Sequence, residues 1–97
     1  MSINSSQRQK LKALAHHLKP IINIGKEGLS DGAIYSISEN LEKNELIKIK
    51  FSHYKDQKNK FSNKITSLTD AVTVSIIGNT LILYKKSESQ KNRHIKI

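Results

Sequence analysis

The sequence predicts an α/β domain: a small mixed four-stranded sheet with three helices, in the order α-β-α-β-α-β-β. Apolar residues recur with a helical period in three stretches and fall into short β-branched runs in four others. The last two runs, VTVSII and TLILYK, are separated only by Gly78 and Asn79, the length of a tight antiparallel hairpin. At 97 residues and 36% hydrophobic, the chain suits one modest core, and division would leave pieces too small to bury one.

Ser5 or Ser6 can cap a first helix of about 6–18, in which Leu11, Leu14, Ala15 and Leu18 keep i, i+3, i+4, i+7 spacing and Pro20 forces the stop. IINI, 21–24, reads as a buried strand ended by Gly25. Beyond the GKEG segment, Ser30 caps a second helix of about 30–44, with Asp31 in its first turn and a stripe of Ile34, Ile37 and Leu41. LIKIKFS, 46–52, alternates, so Ile47, Ile49 and Phe51 face a core while Lys48, Lys50 and Ser52 form a basic outer face. Phe61, Ile65 and Leu68 mark a third helix between about 56 and 70, starting near Asp56 or Ser62. The two hairpin strands complete a domain expected to span 1–86. From Lys85 onward five basic residues face one acid without an apolar period, so 87–97 is expected to be a flexible basic tail.

Lysine and arginine outnumber aspartate and glutamate by 17 to 8, a net charge of +9, which favours a polyanionic partner. Only Arg8 and Arg93 are arginines, and lysines supply point charges for phosphates more readily than paired contacts to base edges. Without cysteine, no disulfide framework or thiolate metal site can form. The N-terminus lacks a signal-type apolar region and no run approaches the roughly 18 apolar residues of a membrane span, so a soluble, cytoplasmic protein is expected.

GKEG, at the end of one strand and the start of one helix, is where open α/β sheets gather ligands. Its glycines let a bulky group approach backbone amides at the positive end of a helix, an arrangement suited to phosphate. Neither GxGxxG nor GxxxxGK[ST] occurs, so no nucleotide cofactor is implied. A G-x-x-G clamp of the kind KH modules lay against a nucleic-acid backbone remains. Lys26 offers an ammonium at the tip; Glu27 opposes a polyanion unless it turns toward the following helix.

At about 100° per residue, Arg8, Lys12 and Lys19 fall within about 40° of one another on the first helix, and Lys48 and Lys50 add charge from the second strand. His16 and His17 are adjacent and cannot chelate one metal from a helix, while His53 and His94 stand in loop and tail. No acid–base pair and no G-x-S-x-G elbow argues for catalysis. Tyr35, Tyr54 and Tyr84 are stacking candidates with packing as the alternative.

The run LKALAHHLKPIINIGKEGLSDG, with NELIKIKF and IGNTLILYKK, resembles the CRM (chloroplast RNA splicing and ribosome maturation) domain in its stand-alone bacterial YhbY-like form, over about residues 7–86. The resemblance implies a fold similar to the C-terminal domain of translation initiation factor three, with a KH-like GxxG loop. It also implies a non-enzymatic RNA-binding protein that associates with precursors of the large ribosomal subunit; multi-domain plant relatives act in group II intron splicing. By motif position, Gly25, Lys26, Glu27 and Gly28 correspond to the loop, and Lys12, His16 and Lys19 to the basic and polar positions of the first-helix segment. The alternative is a module that docks on acidic ribosomal or assembly proteins through the same basic face.

Overall fold

The computed structural model describes residues 2–97 and contains α1 (Ser5–Ala15), β1 (Ile22–Ile24), α2 (Asp31–Asn44), β2 (Leu46–Phe51), α3 (Lys58–Thr69), β3 (Val72–Ile77) and β4 (Thr80–Tyr84). Short 3-10 turns occupy Lys55–Gln57 and Gln90–Asn92. The sheet order is β1-β2-β4-β3, with β1 parallel to β2 and the other pairs antiparallel. The expected mixed α/β architecture is therefore the one found.

Side-chain alternation assigns each strand residue to one of two layers. Ile47, Ile49 and Phe51 of β2 and Leu81 and Leu83 of β4 meet Ile37 and Leu41 of α2 and Ile65 of α3 on one face. Leu46, Val74, Ile82 and Tyr84 meet Leu11 and Ala15 of α1 on the other. The face carrying Lys48 and Lys50 is thus only partly open, since α1 crosses it.

Asn4, rather than Ser5 or Ser6, caps α1. Its side chain accepts from the Gln7 amide at 2.8 Å and its own amide donates to the Gln7 side chain at 2.9 Å, a reciprocal capping box. The helix ends at Ala15, three residues short of expectation. The preference of the residue before Pro20 for extended backbone is met by leaving the helix early, through a turn in which the Leu18 amide donates to the Ala15 carbonyl. β1 is an edge strand, with only Ile24 fully buried, rather than a buried one. Ser30 caps α2 as expected, its hydroxyl accepting from the Ala33 amide at 3.1 Å. α3 begins at Lys58 after a 3-10 turn and lacks a side-chain cap, so neither Asp56 nor Ser62 fills that role.

β3 gains a bulge where register passes from Thr73–Leu83 to Ser75–Ile82, leaving Val74 unpaired. Gly78, with φ 58°, holds the first position of the two-residue hairpin, as a type II′ turn requires.

The segment 87–97, expected as a flexible arm, is held by two glutamates at the end of α2. Buried Glu45 stands at φ 64° as the C-cap, and its carboxylate accepts from the amides of Ser87 (2.8 Å), His94 (3.0 Å) and Ile95 (3.4 Å). Glu42 accepts from the Ser87 hydroxyl (2.5 Å) and from the amides of Ser89 (3.0 Å) and Glu88 (3.3 Å). Ile95 and Ile97 then pack against the α1-side core. Charge in this stretch hid a recurring isoleucine at its end.

The Ser87 hydroxyl, followed by the Ser89 and Glu88 amides, stabilises ionised Glu42 and lowers its pKa below the usual 4.5. A depressed carboxylate pKa contributes stability above 4.5 that disappears as pH falls through the lower folded value. Comparing urea midpoints should therefore show Glu42→Gln less stable than wild type at neutral pH, with the gap closing in acid; a pH-independent gap would contradict this clasp.

Candidate nucleic-acid interface

The C-terminal ends of β1 and β2 and the β3–β4 hairpin meet at one end of the sheet. Phe51 N–H donates to Asn79 O at 2.8 Å, and Ser52 N–H to Ile24 O at 3.1 Å. GKEG leaves this end as a turn closed by Gly28 N–H to Gly25 O at 3.0 Å. The Gly28 amide is thereby used internally, whereas among the described residues the Lys26 and Glu27 amides have no protein acceptor.

Tyr54 braces the loop. Its hydroxyl donates to Lys26 O at 2.5 Å, and its ring lies 5.1 Å from that of Phe61. Tyr54 reaches this position from a left-handed backbone at φ 57°, a conformation costly for a bulky residue. Gly28, at φ 66°, passes under the ring; a Cβ there would stand 3.4 Å from Tyr54 Cε2. Glycine suits position 28 because of this left-handed backbone; a Cβ would only reach ordinary contact with the ring.

The expected basic residues separate into groups. Lys12, His16 and Lys48 border one cleft of about 520 Å³ between α1 and the sheet, with Ile77 and Thr80 opposite. Lys48 Nζ also donates to Leu18 O at 3.0 Å, fixing the turn after α1. Two residues further along β2, exposed Lys50 pairs in register with Asn23 of β1. The Asn23 amide donates to Ser52 Oγ at 3.0 Å and would lie 3.7 Å from a Cβ at Gly25. A continuous surface therefore runs from Lys12 and His16 through Lys48, Lys50 and Asn23 to GKEG.

Arg8 and Lys19 lie outside this surface. Arg8 Nη1 donates to the carbonyls of Thr73 and Val74 at 2.7 and 2.6 Å, satisfying the bulge in β3. Lys19, freed from helical phase by the early end of α1, borders a different cleft with Leu14 and Leu18. Of the tyrosines, Tyr84 is buried and Tyr35 is 67% exposed with its hydroxyl on Glu39. Bracing by Tyr54 was missed in the sequence; an aromatic between a strand end and a helix was the available signal.

No aspartate or glutamate lies in α1 or in any of the four strands. Among the described residues no lysine or arginine comes within 4.0 Å of a carboxylate; only the His94 imidazole does, its Nδ1 3.8 Å from Glu45. The lysines are left unneutralised, which concentrates positive potential on the α1 side. Among the described residues no cluster of potential metal ligands occurs, and no helix is long and apolar enough to cross a membrane.

Residues 3–85 match the CRS1/YhbY (CRM) domain. The chain belongs to this family. CRM relatives include an RNA-binding protein of Haemophilus influenzae, 38% identical over 91 residues that cover 93% of this chain and 92% of that one. YqeI of Bacillus subtilis, named as a probable RNA-binding protein, is 36% identical over 96 residues, 98% of each chain. A Staphylococcus aureus protein solved in solution, described as a candidate RNA binder, superposes with a TM-score of 0.80 at 29% identity, covering 98% of this CRM chain and 100% of its own.

Replacing Arg8 with methionine keeps most of its apolar stem but strands the bulge carbonyls. Chemical denaturation should show a loss of about 1–3 kcal/mol, with little change in affinity for RNA; a large drop in affinity in a stable variant would return Arg8 to the interface. Tyr54→Phe retains the ring and removes the bond to Lys26 O. Fluorescence anisotropy should show RNA affinity reduced by about twofold to tenfold, on the order of one hydrogen bond, and unchanged affinity would exclude the bracing role.

Proposed function

We propose that this CRM protein is a non-enzymatic, cytoplasmic ribosome-assembly factor that binds RNA of the large-subunit precursor through GKEG and the adjoining basic surface. The observation that carries the reading is the path from Lys12 and His16 through Lys48 and Lys50, free of acidic side chains until Glu27 in the loop, to the free amides of Lys26 and Glu27. Lysine ammonium groups and backbone amides are donors suited to phosphate oxygens, which position a protein on RNA without reading bases. Asn23 and Ser52 add polar groups between them, able to reach a ribose hydroxyl. The RNA-binding names of the bacterial relatives agree with this class of partner.

Glu27 accepts no hydrogen bond from the start of α2, and its carboxylate lies within 4.0 Å of no described cation. Exposed and without a partner among the described residues, it adds a negative charge to the loop, so the grip of the loop rests on Lys26 and the two amides. Binding by such a surface releases counterions, and removing one lysine that neutralises a phosphate lowers the slope of log affinity against log salt by about 0.7–0.9. The double variant Lys12→Glu, Lys50→Glu should bind a large-subunit ribosomal RNA transcript at least about tenfold more weakly, with the salt slope reduced by roughly 1.5. An unchanged slope in the folded variant would reject this surface. Crosslinking in cells with sequencing of the attached RNA tests the partner: large-subunit RNA should dominate, and predominance of messenger or small-subunit RNA would overturn the assignment.

A further inference from the structure

Helix α1 divides its face of the sheet, and the side away from Lys12 and His16 holds a second cleft, of about 370 Å³. Its mouth is formed by Leu14, Leu18 and Ile21, which are 47%, 38% and 49% exposed. Buried Leu46 and Ile47 lie behind them, and the tail contributes Ile95. Three large aliphatic side chains left in water around one hollow are more than scattered surface apolarity; such a patch with a polar rim marks a contact site.

The rim chooses the partner. Lys19 and His94 stand at the edge of the cleft. The nearby carboxylate, Glu45, is buried and already accepts from three tail amides. No Phe, Tyr or Trp lines the hollow, so a nucleic-acid base finds no aromatic stacking surface there. A second copy of this chain would bring another net +9 against the same rim. We infer that this cleft docks an acidic segment of another protein, which inserts one leucine- or phenylalanine-sized side chain between Leu14, Leu18 and Ile21 while a flanking carboxylate meets Lys19. The two clefts share no lining residue, so RNA and the acidic segment can be held at once on opposite sides of α1.

Selection of a phage-displayed random dodecapeptide library against the full chain, saturated with ribosomal RNA, tests the inference. Selected sequences should combine a large apolar residue with flanking aspartate or glutamate. A fluorescein-labelled peptide of the selected consensus should then bind Leu14→Glu about tenfold or more weakly than wild type. Lys19→Glu, which leaves the apolar mouth intact, should cost about twofold to fivefold, as for an exposed ion pair. Both variants should keep wild-type melting temperature and RNA affinity, and Lys12→Glu should leave peptide binding unchanged. No enriched acidic-apolar class, or peptides indifferent to Leu14, would overturn the inference. Concentration-dependent self-association in sedimentation, abolished by Leu14→Glu, would also overturn it by naming a second copy as the occupant.

Discussion

One helix has to serve a sheet face too large for it. An 11-residue helix is about 16 Å long and about 10 Å thick, whereas four strands span roughly 15–20 Å across and a six-residue strand about 20 Å along. Lying across the strands, from the β3 bulge held by Arg8 to Lys48 of β2, α1 covers only the middle of the face. The two uncovered ends are finished differently. At one end isoleucines of the tail complete the core; at the other, Lys50 of β2 remains in water toward the glycine loop, behind half-buried Lys48.

The distribution of acids follows the same division. Four of the eight, Asp31, Glu39, Glu42 and Glu45, lie in α2 or at its end, in the opposite layer. Glu42 and Glu45 bind backbone amides of the tail, and Glu39 accepts from Tyr35. Hydrogen bonds from neutral donors leave these carboxylates charged, but they sit in the layer beyond the sheet and no lysine or arginine stands within 4.0 Å of a carboxylate among the described residues, so the positive field of the α1 side persists. Structural use of the acids and exposure of the bases are two sides of one arrangement.

The order of elements was legible because each strand and helix carries its own period, and the hairpin because Gly78-Asn79 leaves no room for another connection. Helical phase misled where the helix stopped early: Lys19 was aligned with Lys12 on an α1 extended to 18, yet the turn after Ala15 sends it to another cleft. Arg8 looked like a surface cation because the β3 bulge that needs its guanidinium is set by tertiary register, 65 residues away. The tail was misread for a similar reason. Ile95 and Ile97 are too sparse to form a period, and the carboxylates that hold them in place lie on α2. GKEG itself was readable as a turn with free amides, but its support by Tyr54 depends on a left-handed residue that propensity disfavours.

The tail also orders the domain in time. Residues through Leu83 supply the whole buried cluster beneath α2 and α3, whereas the α1-side cluster is finished by Ile95 and Ile97. During vectorial synthesis α1 emerges ahead of every strand it packs against, and its cluster is joined last by Ile95 and Ile97. The layer containing α1 is therefore completed after the layer beneath α2 and α3, and its cluster stays unfinished until Ile95 and Ile97 follow.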